Sequence, residues 1–183
     1  MVNRVSALEG HDTDCRFGIN DAVAVHVREI PNLVLFQAAA WVDSMSAVES
    51  AIARSAGTNF APGPVTAATG TNGSLLRIEP MKWWLYGITA PELPEETGVT
   101  LDLSHSRTHV RISGPQATTL LNRNLPLDLS EQHFPVNSVA SSSLHHVGVT
   151  LWRSVDGYEL FIPRGFAVSV WEVLMQSAAQ FDV

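Results

Sequence analysis

The chain has 183 residues, enough for one domain or two small lobes sharing a core, and 45% of them are apolar. Eleven Lys plus Arg against eighteen Asp plus Glu give a net charge of −7, the wrong sign for collecting phosphate contacts, so nucleic acid is excluded as a partner. Only 16% of the residues are charged, which with the apolar content excludes a disordered chain and points to a surface that meets another protein.

Residues 1–21 show no period and read as an N-terminal arm or a frayed terminus. From 22 to 28, Val23, Val25 and Val27 alternate with Ala24, His26 and Arg28, which predicts a half-buried strand ended by Pro31. Residues 33–41 are dense in branched and aromatic side chains and predict a strand buried on both faces. A helix follows. Asp43, Ser44 and Ser46 offer N-caps, Ser46 and Glu49 have capping-box spacing, and Met45, Val48, Ile52 and Ala56 form one stripe that Gly57 ends. Residues 59–72 read as a long surface loop before strands at 74–79 and 82–88.

Residues 91–98, with Pro91, Pro94, Glu95 and Glu96, make a polar joint between a first lobe at 22–90 and a second at 99–183. The second lobe opens with strands at 99–103 and 107–113, after which Gly114-Pro115 starts a helix carrying Ala117, Leu120 and Leu121. Strands at 139–146, 147–153 and 158–162 follow, the last two joined at Asp156-Gly157, a strong hairpin signal. A closing helix over 165–179 gathers Phe166, Val170, Trp171, Leu174, Met175 and Ala178 on one side. The pattern predicts an α+β class: two ferredoxin-like lobes of antiparallel sheet with helices packed on one face.

The longest apolar stretch, 33–42, is broken by Gln37 and falls short of the roughly 18 residues of a membrane span, so no membrane association is expected. Residues 1–10 lack a signal-peptide pattern and Cys15 is the only cysteine, which makes a cytoplasmic setting the default. No Gly-rich dinucleotide fingerprint or zinc spacing is present. His145 and His146, adjacent on a predicted strand, point to opposite faces and do not share a metal. Asp102, Ser104 and His105 have the residue types of a triad but are too close in sequence to converge on one hydroxyl.

Alternation over 107–113 places Arg107, His109 and Arg111 in a row on one strand face. Arg forks match carboxylates, so the row reads as a site for an anion or an acidic partner, or else as a solvated outer face. Trp83 and Trp84 are neighbours on a strand and face opposite ways, so they, with Trp152, are candidates for a partner interface as well as for core packing.

Through Leu101-Asp102-Leu103-Ser104-His105, Val110, Gly114-Pro115-Gln116-Ala117 and Leu120-Leu121, the chain resembles the aminomethyltransferase (glycine cleavage T protein) superfamily. Within it, the Pro80-Met81-Lys82-Trp83-Trp84-Leu85 stretch and the run from Gly157-Tyr158-Glu159-Leu160 to Trp171-Glu172-Val173-Leu174 look most like the gamma-subunit family of heterotetrameric sarcosine oxidases, over residues 75–181. The resemblance implies an aminomethyltransferase-like fold and an accessory subunit, inactive alone, of a complex that demethylates sarcosine to glycine and forms methylenetetrahydrofolate. It also implies that flavins, NAD and tetrahydrofolate sit on the larger partner subunits and that this chain binds no cofactor. Folate-dependent relatives carry a Gly-Gly turn followed by paired acids; here the comparable stretch is His146-Val147-Gly148-Val149-Thr150-Leu151, so no catalytic residue carries over. The alternative is a stand-alone folate-binding or aminomethyltransferase-like protein, with the Arg107, His109 and Arg111 row facing the glutamate tail.

Overall fold

Val25 and Val27 are fully buried while Val23 is exposed, so the alternating valines form a strand with one face on a core. This strand, β2 (Ala22–Glu29), pairs antiparallel with β1 (Asp14–Ile19) in a computed structural model that describes residues 5–20 and 22–182. The expected arm is therefore in part an edge strand. Its alternation is faint because Gly18 and the charged Asp14 and Arg16 occupy half of it, and main-chain pairing to β2 rather than its own burial holds it in place. Residues 1–4 and Asp21, the rest of that expectation, lie outside the described residues, as does Val183.

The remaining elements are β3 (Leu35–Ala40), α1 (Met45–Ala56), β4 (Ala67–Thr69), β5 (Ser74–Glu79), β6 (Lys82–Tyr86), β7 (Gly98–Asp102), β8 (Arg107–Ser113), α2 (Ala117–Asn124), β9 (Val139–Leu144), β10 (Val147–Ser154), β11 (Gly157–Pro163) and α3 (Ala167–Ala178). All but β1 and the short β4 were anticipated, and β4 lies within the stretch read as loop. None of the described helices is long and apolar enough to cross a membrane.

The α1 stripe buries Val48, Ile52, Ala53 and Ala56, and Gly57 ends the helix in the left-handed region at φ 72°. The expected Ser46–Glu49 capping box does not form. Ser44 is the N-cap, Ser46 falls inside the helix, and Glu49 turns to Arg77 at 3.3 Å.

The chain groups into two units with antiparallel sheets. One comprises the chain up to Pro31, Ser106–Val136 and Ser141 onward; the other comprises Asn32–His105 and Asn137–Ala140. The first holds the order β1-β2-β8-β11-β10-β9, with β9 entering it at Ser141. Its core includes Val25, Val27, Val110, Ile112, Leu160 and Ile162 with Leu120, Leu121, Val170 and Leu174 from α2 and α3. The second holds the order β4-β5-β6-β3-β7, and α1 covers one face of it through Val48, Ile52 and Ala56 against Ala38, Leu75, Trp83 and Leu85.

These boundaries differ from the expected lobes at 22–90 and 99–183. The β2 strand joins β8, pairing His26 with Ser113 through Glu29 with Val110, and β7 joins β3, pairing Phe36 with Asp102 through Ala40 with Gly98. The expected joint at 91–98 is thus a loop leading into β7 inside one unit, closed by the Thr97 N–H on the Pro94 carbonyl. Composition marks a turn, but strand pairing across long separations decides which side of a boundary a strand falls on.

Two tight turns fix the β9–β10–β11 meander. His145 and His146 have φ of 44° and 72°, the left-handed pair a two-residue hairpin demands, so they form a turn rather than the end of a strand. At the next hairpin Gly157 has φ 138°, and a Cβ there would lie 2.6 Å from the Ile112 carbonyl oxygen. Gly157→Ala is expected to cost about 1–3 kcal/mol, read as a lowered urea midpoint; an unchanged midpoint would contradict the strain argument.

Candidate functional site

Strand β8 lies between β2 and β11, and its alternation sends Val110 and Ile112, both fully buried, to the opposite face from Arg107, His109 and Arg111. The row forms as expected. Its centre, however, is neither a solvated face nor an open anion site, because the His109 side chain has no exposure and Glu159, also fully buried, lies beside it on β11.

In the β8–β11 register Glu159 faces Arg111 and Phe161 faces His109. His109 Nε2 lies 2.6 Å from Glu159 Oε2, while Arg111 Nε donates to Glu159 Oε1 at 2.8 Å and Ser154 Oγ, from β10, donates to the same oxygen at 2.7 Å. Arg111 also bridges outward to Asp156 at 3.1 Å, and His109 stacks on Phe161 with ring centroids 4.7 Å apart. The carboxylate that matches the Arg–His row is the chain's own.

Burial alone pushes the Glu159 carboxyl up, but the His109 hydrogen bond and charge, the Ser154 hydroxyl and the Arg111 guanidinium outweigh it and hold the carboxyl below its ordinary value. The cluster ties β8, β10 and β11 together, with the His109 and Glu159 side chains closed off from solvent and Arg111 part-exposed at its outer side. Arg107 lies further along the row, at the start of β8. It is half-buried, donates to the Ser106 carbonyl at 3.1 Å, and burial lowers its guanidinium, which stays charged. One sequence signal for the cluster existed: Glu159 is the only acid in the strand Gly157–Pro163, where all four of the other residues from Tyr158 to Ile162 are apolar or aromatic, and a buried acid requires a buried partner.

Trp83, Trp84 and Trp152 are 0%, 3% and 5% exposed, so none of the three is available to a partner at the surface. The expectation that one of the adjacent pair faces outward fails because β6, flanked by β5 and β3, is buried on both faces. Trp83 packs on α1 under the Arg77 guanidinium, 4.9 Å from its ring centroid, whereas the Trp84 indole N–H donates to Gln37 at 3.3 Å.

The aromatics that do reach the surface are Trp41, Phe60 and Phe166. Trp41 stands where β3 ends, its indole N–H held by the Glu95 carbonyl at 2.9 Å. By register it continues the face of Ala39, which pairs with Val99, and of Gln37, which pairs with Leu101. Trp41, Val99 and Leu101 are each about half exposed, at 50%, 51% and 55%, and together make an apolar strip at one edge of the five-stranded sheet. Sequence reasoning missed it because an exposed strand face with period two looks the same as a buried one. Among the described residues, no three His, Cys, Asp or Glu side chains come together as a metal site requires.

The family model of the GCVT N-terminal domain matches residues 81–183. A sarcosine oxidase subunit gamma from Arthrobacter sp is 34% identical over 91 residues, half of this chain and 45% of that protein, so the chain spans less than half of the curated relative it matches. Among solved structures, a chain of the heterotetrameric sarcosine oxidase from Corynebacterium sp. U-96 in complex with pyrrole 2-carboxylate superposes with TM-score 0.76 at 23% identity, covering 91% of this chain and 89% of that one. The glycine cleavage system aminomethyltransferase T from Bartonella henselae superposes with TM-score 0.57 at 17% identity, covering 89% of this chain and 46% of that one. The α+β fold is the one those two proteins share.

Proposed function

The chain belongs to the GCVT N-terminal domain family, and from that premise we propose that it is the accessory gamma subunit of a heterotetrameric sarcosine oxidase. In this reading it supports the oxidative demethylation of sarcosine to glycine, with methylenetetrahydrofolate formed when tetrahydrofolate is present, in the cytoplasm. Flavins, NAD and tetrahydrofolate are held by the larger subunits, and this chain supplies surface to them. The observation that carries the reading is the likeness of fold, which runs nearly end to end in both this chain and its oxidase counterpart. The structure lends a second support: the Arg–His row that would meet a folate glutamate tail spends His109 and Arg111 on the internal Glu159.

Co-expression with the larger subunits of a heterotetrameric sarcosine oxidase tests the proposal. The chain is expected to co-elute with them at fixed stoichiometry in a complex that consumes oxygen when given sarcosine; elution on its own next to an active oxidase sinks the reading. Calorimetry separates the stand-alone folate protein. Tetrahydrofolate binding to the isolated chain near micromolar, about −8 kcal/mol, would favour that alternative, and no heat at millimolar ligand is the expected outcome.

A further inference from the structure

The two sheets have four edges, and three of them are guarded. Edge β1 carries Asp14 and Arg16 and a register shift between Phe17 and Gly18, both devices that block pairing with another chain. Edge β4 is three residues long and is overlaid by segment 137–139, through the Ala67 N–H on the Asn137 carbonyl and the Val139 N–H on the Val65 carbonyl. Edge β9 reads VASSSL, with three serines in succession.

Edge β7 has no register shift, no overlying segment and no serine run, and its single charged residue, Asp102, stands at its very end. Its sequence GVTLD contains no Lys, Pro or bulge, and it places exposed Val99 and Leu101 on the same face as Trp41. Its backbone is also set for pairing. The Thr97 carbonyl and the Leu103 N–H turn inward to meet Trp41 and Leu35 at the two ends of β3, so antiparallel alternation turns the N–H and C=O of Thr100 outward.

The charges around this edge select the occupant. From residue 83 to 106 the chain has no Lys or Arg but has Glu92, Glu95, Glu96 and Asp102, all exposed, and exposed Asp43 follows Trp41 and Val42. Lys82, the one cation on this sheet face, is committed to Glu79 at 2.7 Å. Two copies of such an edge laid together would oppose their acidic rims.

We infer that β7 is the docking edge for a larger subunit of the proposed complex, which adds an extended strand with apolar side chains over Val99, Leu101 and Trp41 and places Lys or Arg against the Glu95, Glu96 and Asp102 rim. This rests on the accessory-subunit reading and names the surface that serves it. Edge addition draws its affinity from main-chain hydrogen bonds and its specificity from alternate side chains, both present here.

The test is assembly of the full chain, wild type and variant, with the co-expressed larger subunits. Leu101→Lys buries a charge in the docked state. Thr100→Pro deletes an outward N–H while sparing the bonds to β3, a substitution that edge strands accept. Each should lower affinity for the subunits at least about tenfold with an unchanged circular dichroism spectrum. Glu95→Lys with Glu96→Lys should slow association about tenfold at low salt and flatten its salt dependence. If the folded variants assemble like wild type, the inference fails and the accessory reading stands. If the wild type does not assemble, both fall. If instead the wild type dimerises alone and Leu101→Lys abolishes the dimer, the edge serves a second copy and the inference is overturned.

Discussion

Glu159→Ala is expected to destabilise the protein by about 3–5 kcal/mol, because it strands His109, Arg111 and the Ser154 hydroxyl around an uncompensated buried site. For a chain of this size that lowers the melting temperature by roughly 6–20 °C. The loss reflects the broken pair, not the worth of the ions as such. Replacing the cluster together, with Glu159→Leu, His109→Phe and Arg111→Leu, should recover a large part of it, since an apolar core of similar volume carries no desolvation cost. A loss under about 1 kcal/mol for Glu159→Ala would mean that the cluster does not clamp the sheet.

The same carboxyl gives the protein an acid-labile component. In the unfolded chain Glu159 takes up its proton at the ordinary glutamate value of 4.5; in the folded chain it does so only at lower pH. Between those two points the unfolded state binds more protons, so the contribution is fully present above about pH 4.5 and fades as pH falls through the folded value. Denaturant midpoints measured from pH 6 downward should fall less steeply in Glu159→Ala than in wild type. Parallel profiles would assign the acid sensitivity to other carboxyls.

What the sequence made legible was local. The valines of β2, the row on β8, the stripe of α1 and the β10–β11 hairpin all arise from period or turn chemistry within a few residues, and each forms as expected, the hairpin with its turn at Val155-Asp156 and Gly157 already paired with Ser154. The family resemblance drawn from Leu101 to Leu121 falls inside the matched span 81–183. What stayed hidden depends on distant partners. Nothing in β7 names β3, and nothing in β2 names β8, because an apolar face fits any complementary sheet and register is set only when the strands meet. The row on β8 suffered the same limit. Arg111 and His109 read as waiting for an acid from outside, whereas that acid comes 48 and 50 residues later on the neighbouring strand.

Trp83→Ala should cost about 3–5 kcal/mol, the other large effect, because it empties the centre of the core between α1 and the five-stranded sheet. Trp83 is fully buried among Val48, Ile52, Leu75 and Leu85, and the Arg77 guanidinium lies over its ring. Loss of the ring also removes one contact of Arg77, whose guanidinium still reaches the Pro80 and Pro62 carbonyls and Glu49, the last a part-exposed pair that adds little on its own. Trp83→Phe separates packing from polarity. The indole N–H is buried without a hydrogen-bond partner, so phenylalanine discards a desolvated donor that disfavours the fold by about 1–3 kcal/mol while keeping most of the ring contact. Its net cost should therefore stay well below half that of alanine in urea unfolding followed by circular dichroism. Equal penalties for Phe and Ala would mean that the nitrogen, rather than the ring, secures the site.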